Sequence, residues 1–197
     1  MSTFLQASID PAIVSRARRG DLKAHELVYR AYAKPVYNLA IRILRDPHQA
    51  EEVMQDTFIE VIRKIGSYRG DAPLGAWIRR IAANKALMVL RSAWHRLATP
   101  LDAEHESMAE DRGAAGEGMR AVESAELERQ LAQLAPVTRA VIWLYDVEGY
   151  THQEIATMMG KTASFSKSQL SRGHQKLRRM MAAAGEVQTC MQVSNSY

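Results

Sequence analysis

The sequence predicts an all-α protein: two small helical domains joined by a flexible acidic linker, the second containing a helix-turn-helix. Three observations carry this. Apolar residues recur at helical spacing along most of the chain, and no strand-like alternation competes with them. Helix-start signals stand just ahead of the periodic stretches, at Asp10-Pro11, at Asp46-Pro47-His48-Gln49, and at Thr151 with Glu154 three residues on. Between residues 99 and 118, TPLDAEHESMAEDRGAAGEG, the periodicity gives way to acids, Gly and Ala, as a solvated linker requires. The expected organisation is a first domain over 1–98, the linker over 99–118, a second domain over 119–181 and a loosely ordered tail over 182–197.

In chain order, Asp10 caps a short helix with Pro11 in its first turn, and Gly20 stops it. Asp21 starts a long helix whose apolar positions are Leu22, Leu27, Val28, Tyr32, Val36, Leu39, Ala40 and Ile43, with a kink expected at Pro35. Asp46 caps the next helix, with Gln49 placed to close a capping box and Met54, Phe58, Val61, Ile62 and Ile65 as the expected buried set. That leaves Glu51, Glu52, Gln55, Asp56 and Glu60 outside. Such an acidic face is either solvation plus a favourable helix dipole or a docking surface for a basic partner.

After the loop GSYRGDAP, which presents Tyr68 and Arg69, a helix runs from about Leu74 to Arg91. Ile78, Ile81, Ala82 and Val89 fall on one side of it, and Trp77, Arg80, Asn84 and Arg91 on another. An aromatic, an amide and two guanidiniums on one stripe suit the stacking and hydrogen bonding of unpaired bases beside a phosphate backbone. The plainer reading places Trp77 in the core and the arginines in solvent.

The second domain opens near Met119 with Val122, Leu127, Leu131 and Leu134, restarts at Pro136 and continues through the apolar run from Ala140 to Tyr145. Thr151 and Glu154 form a capping box for a short helix with Ile155, Met158 and Met159 inside, Gly160 supplies a turn, and Thr162 caps the next helix. From Lys161 to Arg179 there are six basic residues and no acidic one. Two helices joined by a glycine turn are the shape of a helix-turn-helix, whose second helix enters the major groove with its early residues at the base edges. Those residues are Ser164, Lys167, Ser168, Gln169 and Arg172. The plainer alternative is a helical hairpin with a solvated basic face.

Composition closes other routes. Over 197 residues the formal charge is +4, but residues 1–98 carry sixteen Lys or Arg against nine acids, residues 99–118 one against six, and residues 119–197 nine against seven. The single cysteine, Cys190, makes no disulfide framework, and six scattered histidines without helical ligand spacing suggest no metal site. No cofactor is expected. No secretory signal or membrane-spanning run is evident, so a cytoplasmic protein without membrane insertion is expected. No close carboxylate pair, metal cluster or activated nucleophile supports an enzyme.

The order DPHQAEEVMQDTFIEVIRKIGSYRG, APLGAWIRRIAANKALMVLR, LAQLAPVTRAVIWLYDVEGYTHQEIATMMG and KSQLSRGHQKLR resembles the extracytoplasmic-function sigma factors of bacterial RNA polymerase over about residues 10 to 180. The resemblance implies a non-catalytic specificity subunit that binds core polymerase, including its largest-subunit clamp helices and its flap region, and directs initiation at promoter DNA. By that resemblance Glu51, Glu52, Gln55, Asp56 and Phe58 meet the clamp helices, with Phe58 as the packing member. Tyr68, Arg69, Trp77, Arg80, Asn84 and Arg91 take up the opened minus-ten strand, and Ser164, Lys167, Ser168, Gln169 and Arg172 read the minus-thirty-five element as duplex. The linker threads into the nucleic-acid channels of the polymerase, and an anti-sigma factor is the usual regulator.

Three departures from the family pattern stand out. Leu74 replaces a usual aromatic, Met88 a usual aspartate, and Ser164-Phe165-Ser166-Lys167-Ser168-Gln169 a Gly-Thr-Val-Lys-Ser-Arg pattern. Ser166 shares a helix face with Leu170 and Leu177, where an apolar side chain usually packs. Gln169 in place of arginine shifts the expected base preference from guanine to adenine. A conventional helix-turn-helix regulator with a helical sensing or dimerising domain is the competing reading, and it leaves Trp77, Arg80 and Asn84 without a purpose.

Overall fold

The structure, a computed structural model, describes residues 3–97 and 128–194. The acidic stretch 99–118 and the expected helix start at Met119, Val122 and Leu127 lie outside the described residues. The described residues contain no strand. Helices α1 (Thr3–Gln6), α2 (Pro11–Arg18), α3 (Leu22–Leu44), α4 (Pro47–Lys64) and α5 (Leu74–Leu97) form a first unit. A helical turn at residues 128–132, then α6 (Pro136–Ile142), α7 (His152–Met159) and α8 (Ala163–Ser194), form a second.

Three helices of the first unit, α2, α3 and α4, start where their aspartates predict. Asp10 accepts from the Ala12 N–H at 2.8 Å, Asp21 from those of Lys23 and Ala24 at 2.9 and 3.2 Å, and Asp46 from that of Gln49 at 3.1 Å. The Gln49 side chain departs from the expected box: its amide donates to the Asp46 carboxylate at 2.7 Å instead of reaching the capping backbone. The Gln49 backbone N–H, and then its side chain, hold the Asp46 carboxyl below its usual range.

In the first unit α3 is central, packing on α2, α4 and α5. It buries Ala24, Val28, Tyr32, Val36, Leu39, Ala40 and Ile43, a stripe at i, i+4 and i+3 spacing, and continues through Pro35 to Leu44. Leu22 and Leu27, expected on that stripe, point outward at 81% and 42% exposure, because the buried line begins at Ala24 and follows Val28. Helix α5 answers with Leu74, Ile78, Ala82, Ala83, Ala86, Leu87 and Leu90. α1 lies over its start: a Cβ on Gly75 would sit 2.1 Å from the Phe4 carbonyl oxygen, so only glycine admits this approach. Phe4 is buried there, and the Tyr32 hydroxyl donates to the Ala7 carbonyl at 3.0 Å.

On α4 the buried line is Ala50, Val53, Thr57, Phe58 and Val61, and Ile62, expected inside, is 51% exposed. It stands 100° around the helix from Val61, beyond the reach of α3 and α5. The buried Thr57 hydroxyl is satisfied within the helix, donating to the Val53 carbonyl at 2.7 Å.

In the second unit, α6 begins at Pro136 as predicted and widens into a π-helical turn over Trp143–Val147. Helix α8 runs to Ser194, past the point where a loosely ordered tail is expected. Ala182, Ala183 and Ala184 favour continuation, no proline stops it, and a single interior glycine costs only about 1 kcal/mol.

The two units meet through arginines. The buried Arg139 guanidinium donates to the Leu134 carbonyl at 3.2 Å and, across the boundary, to the Ile43 carbonyl at the end of α3 at 3.1 Å. Burial, and secondarily Arg45, push its pKa down to about 10. Arg79 of α5 donates to the Glu148 carbonyl, lies 3.9 Å from the Glu148 carboxylate and stands over the Tyr150 ring at 4.5 Å. Burial in this contact raises the Tyr150 hydroxyl to about 12, against the lowering effect of Arg79. Arg42 covers the Trp143 ring at 5.3 Å and pairs with Glu128. The Nε atoms of Arg79 and Arg139 and the Trp143 indole N–H are buried without a hydrogen-bond partner among the described residues.

Candidate nucleic-acid interface

The helix-turn-helix is built as its sequence requires. Thr151 Oγ1 accepts from the Glu154 N–H at 3.2 Å, and the Glu154 carboxylate accepts from the Thr151 backbone at 2.8 Å, which closes the capping box and lowers the Glu154 pKa. Gly160 takes φ +64°, a left-handed turn that glycine adopts without strain, and the Lys161 N–H closes it onto the Ala156 carbonyl at 2.9 Å. Thr162 then caps α8 by accepting from the Phe165 N–H at 3.2 Å. Ile155, Ala156, Met159, Leu170 and Leu177 are buried between the helices.

This packing sorts α8 into faces. Ser164, Lys167, Ser168 and Arg172 are exposed, with Arg178 and Arg179 further along. Lys176 is tied back, donating to the Gln133 carbonyl at 2.9 Å. The Ser166 hydroxyl, fully buried, lies 3.0 Å from Nδ1 of His152, and that ring stacks on Tyr145 at 4.3 Å. A polar pair thus occupies the place of the expected apolar contact, a solution invisible from α8 alone because the partner is fourteen residues away. Phe165 is half-buried, with the Lys161 ammonium 5.8 Å from its ring centre. Gln169 is half-buried, its side-chain oxygen accepting from the Thr138 hydroxyl at 2.7 Å.

On α5, Arg80, Asn84 and Arg91 are exposed along one stripe with the half-buried Trp77 at its upper end. Trp77 meets Tyr68 at 5.4 Å with the rings tilted by 45°, and the Tyr68 hydroxyl donates to the Ala72 carbonyl. Burial, then the nearby Asp71, raises the Tyr68 pKa. The loop is therefore folded onto the stripe, with Arg69 left exposed. Met88, at half exposure, adds an apolar member to this stripe.

Helix α4 presents Glu51, Glu52, Gln55 and Asp56 to solvent. Phe58 does not join them: it is 5% exposed and packs edge-on against Tyr29 at 4.7 Å, supporting the face from behind. The outward apolar residues of this helix are Ile59 and Ile62, at 48% and 51% exposure. Sequence reasoning missed Ile59 and assigned Ile62 to the core, although two isoleucines off the buried period are themselves a signal of a contact surface. Between α4 and α5, Glu60 accepts from Lys64 at 2.7 Å and lies 3.0 Å from Lys85, which together keep its carboxyl low.

The sigma-70 region 2 family matches residues 28–96, and the sigma-70 region 4 family matches residues 124–177. The RNA polymerase sigma factor CarQ of Myxococcus xanthus is 30% identical over 168 residues, 85% of this chain and 95% of CarQ. The chain belongs to the extracytoplasmic-function sigma factors. Among this sigma factor's other relatives, SigM of Mycobacterium tuberculosis is 30% identical over 162 residues (82% of this chain, 79% of SigM). The sigma-H factor of Pseudomonas aeruginosa is 26% identical over 179 residues (85% and 91%). Two solved structures share the fold. One is the sigma factor RpoE in complex with the anti-sigma factor NepR from Bartonella quintana, with TM-score 0.56, 20% identity and coverage of 82% of this chain and 98% of that one. The other is CnrH in complex with the cytosolic domain of CnrY, with TM-score 0.52, 21% identity and coverage of 88% and 97%. As a sigma factor the protein acts in transcription initiation and has no catalytic activity of its own. No described helix is long and apolar enough to cross a membrane, and no metal-holding cluster occurs among the described residues.

Proposed function

We propose that this sigma factor divides promoter recognition between its two units: residues 1–98 capture the opened minus-ten strand and dock on core polymerase, and residues 119–181 read the minus-thirty-five element as duplex. The single observation that carries this is the presence of two chemically unlike surfaces, one on each unit. The α5 stripe of Trp77, Arg80, Asn84 and Arg91, beside Tyr68 and Arg69, combines stacking, amide and cationic groups suited to unpaired bases. The α8 face of Ser164, Lys167, Ser168 and Arg172 is narrow, hydroxylated and cationic, suited to base edges and phosphates of a duplex groove. A conventional duplex-binding regulator needs the second and has no use for the first.

The acidic face of α4, Glu51, Glu52, Gln55 and Asp56, takes the clamp helices of the largest polymerase subunit, with Phe58 holding that face in place from below. Ile59 and Ile62 supply the apolar centre that an acidic face alone would lack. The second unit reaches the flap region, and the linker over 99–118 enters the nucleic-acid channels. Because RpoE is described in complex with the anti-sigma factor NepR, an anti-sigma factor is the regulator we propose here too.

The test is strand opening by Asn84→Ala. Asn84 is exposed, so the fold and polymerase binding should persist within ~0.5 kcal/mol. Permanganate footprinting should show loss of melting on a paired promoter and partial recovery on a template with a pre-opened bubble. Normal opening by the Asn84→Ala holoenzyme would remove this residue from strand capture.

A further inference from the structure

We infer that Thr138 is a positioning residue for duplex reading: with Gly173 it seats α8 so that Gln169 is withdrawn from the base-contacting set. The inference rests on the proposed reading of the minus-thirty-five element by α8.

The seat is a close helix crossing. A Cβ on Gly173 would lie 2.4 Å from Cδ1 of Ile142 and 2.7 Å from Cγ2 of Thr138, so α8 approaches α6 more closely than any larger residue permits. Four residues earlier on the same face, Gln169 points at α6, and its side-chain oxygen accepts from the Thr138 hydroxyl at 2.7 Å. Thr138 is itself buried, at 9% exposure. Ser168 and Arg172, one position before Gln169 and Gly173, are rotated about 100° away and exposed.

Chemistry then decides what Gln169 can read. A glutamine recognises adenine by using its amide oxygen and nitrogen together. Here the oxygen already accepts from Thr138, which holds the amide toward α6 and away from a bidentate pose in the groove. The adenine preference expected of glutamine in this place is therefore suppressed, and removal of one hydroxyl should release it. Thr138→Val preserves shape and burial while deleting the donor. Thr138→Ser retains the donor with a smaller side chain.

The experiment selects duplexes randomised across the upstream element with holoenzyme assembled from core polymerase and the full chain, and sequences what is retained. Gln169→Ala alone should select the same bases as the parent. Thr138→Val should gain preference for adenine at one position, by roughly tenfold, and Thr138→Val with Gln169→Ala should lose that gain. Thr138→Ser should behave as the parent. A merely structural role of Thr138 would weaken binding at all sequences alike without creating a base preference. The inference is overturned if Gln169→Ala alone changes base selection, or if Thr138→Val selects as the parent does. Lys167→Ala separates this from the underlying reading: if it leaves duplex retention unchanged, duplex reading by α8 itself fails. If it weakens retention while Thr138→Val has no effect on selection, only the positioning role falls.

Discussion

Arg79→Met should open the contact between the two units, and the size of the effect follows from what Arg79 touches. The substitution removes a charge-assisted hydrogen bond to the Glu148 carbonyl, ~1.5–3 kcal/mol, and a cation–π contact with Tyr150, ~1 kcal/mol. It also relieves the buried, unpartnered Nε, which costs ~1–3 kcal/mol in the parent. The methionine retains the aliphatic packing on Tyr150. The net is ~1–2 kcal/mol toward the open state, roughly a tenfold shift in the closed–open ratio. In a Cys190→Ser background, dyes on Ser15 and Gln175, both exposed, report the separation by single-molecule energy transfer. The Arg79→Met chain should move substantially toward low transfer while each unit keeps its helical signal. An unchanged transfer distribution in the variant would refute the assignment of this free energy to Arg79.

Two further outcomes are expected. Reversing Glu52 and Gln55 to lysine should weaken binding to core polymerase without changing the fold, since both are exposed and such changes cost no more than ~0.5 kcal/mol; unchanged affinity at moderate salt would move the docking face elsewhere. Asp46, Glu60 and Glu154 have pKa values lowered by their hydrogen bonds, so each contributes stability that is present above the ordinary carboxylate pKa and lost as pH falls through the lowered one. Urea midpoints should therefore drop on acidification below about pH 4, and Asp46→Asn, which keeps a cap, should flatten that acid limb; an identical pH profile would remove Asp46 from the linkage.

The legible parts of this protein were those fixed by nearest-neighbour rules. Asp10, Asp21, Asp46, Thr151 and Thr162 each announce a cap, and the structure has each side chain accepting from a backbone N–H two or three residues ahead. The Trp77, Arg80, Asn84 and Arg91 stripe was legible for the same reason, since helical periodicity alone aligns those positions. What escaped depends on partners distant in sequence. Ser166 reads as a defect until His152 is seen beside it, and the hydrogen bond from Thr138 to Gln169 joins residues thirty-one apart with no local signature. Phe58 is buried as its spacing predicts, whereas Ile62 lies outside, because an apolar residue beside the buried line is ambiguous until the neighbouring helices are placed. The arginine contacts between the units had no local signature at all.

Those contacts bear on how the molecule reaches a promoter. Elements named for positions ten and thirty-five lie about 25 base pairs apart, on the order of 85 Å along a duplex at 3.4 Å per pair. In the described arrangement the two surfaces are neighbours: a Cβ on Gly160, at the turn before α8, would lie 3.7 Å from the guanidinium of Arg91, the last residue of the α5 stripe. If the two surfaces divide the promoter as proposed, one closed molecule therefore cannot meet both elements of a straight duplex. The sequence between the described units, 98–127, is thirty residues long, a contour of at most roughly 100 Å at about 3.3 Å per residue. Opening would cost the arginine contacts, while exposing to water the buried Nε atoms of Arg79 and Arg139 and the Trp143 indole N–H. A fully satisfied interface would compete with promoter engagement, whereas one carrying unpaired donors gives them water when it parts. On the proposed division of promoter reading, a contact of this kind yields to promoter engagement more readily than a fully paired one.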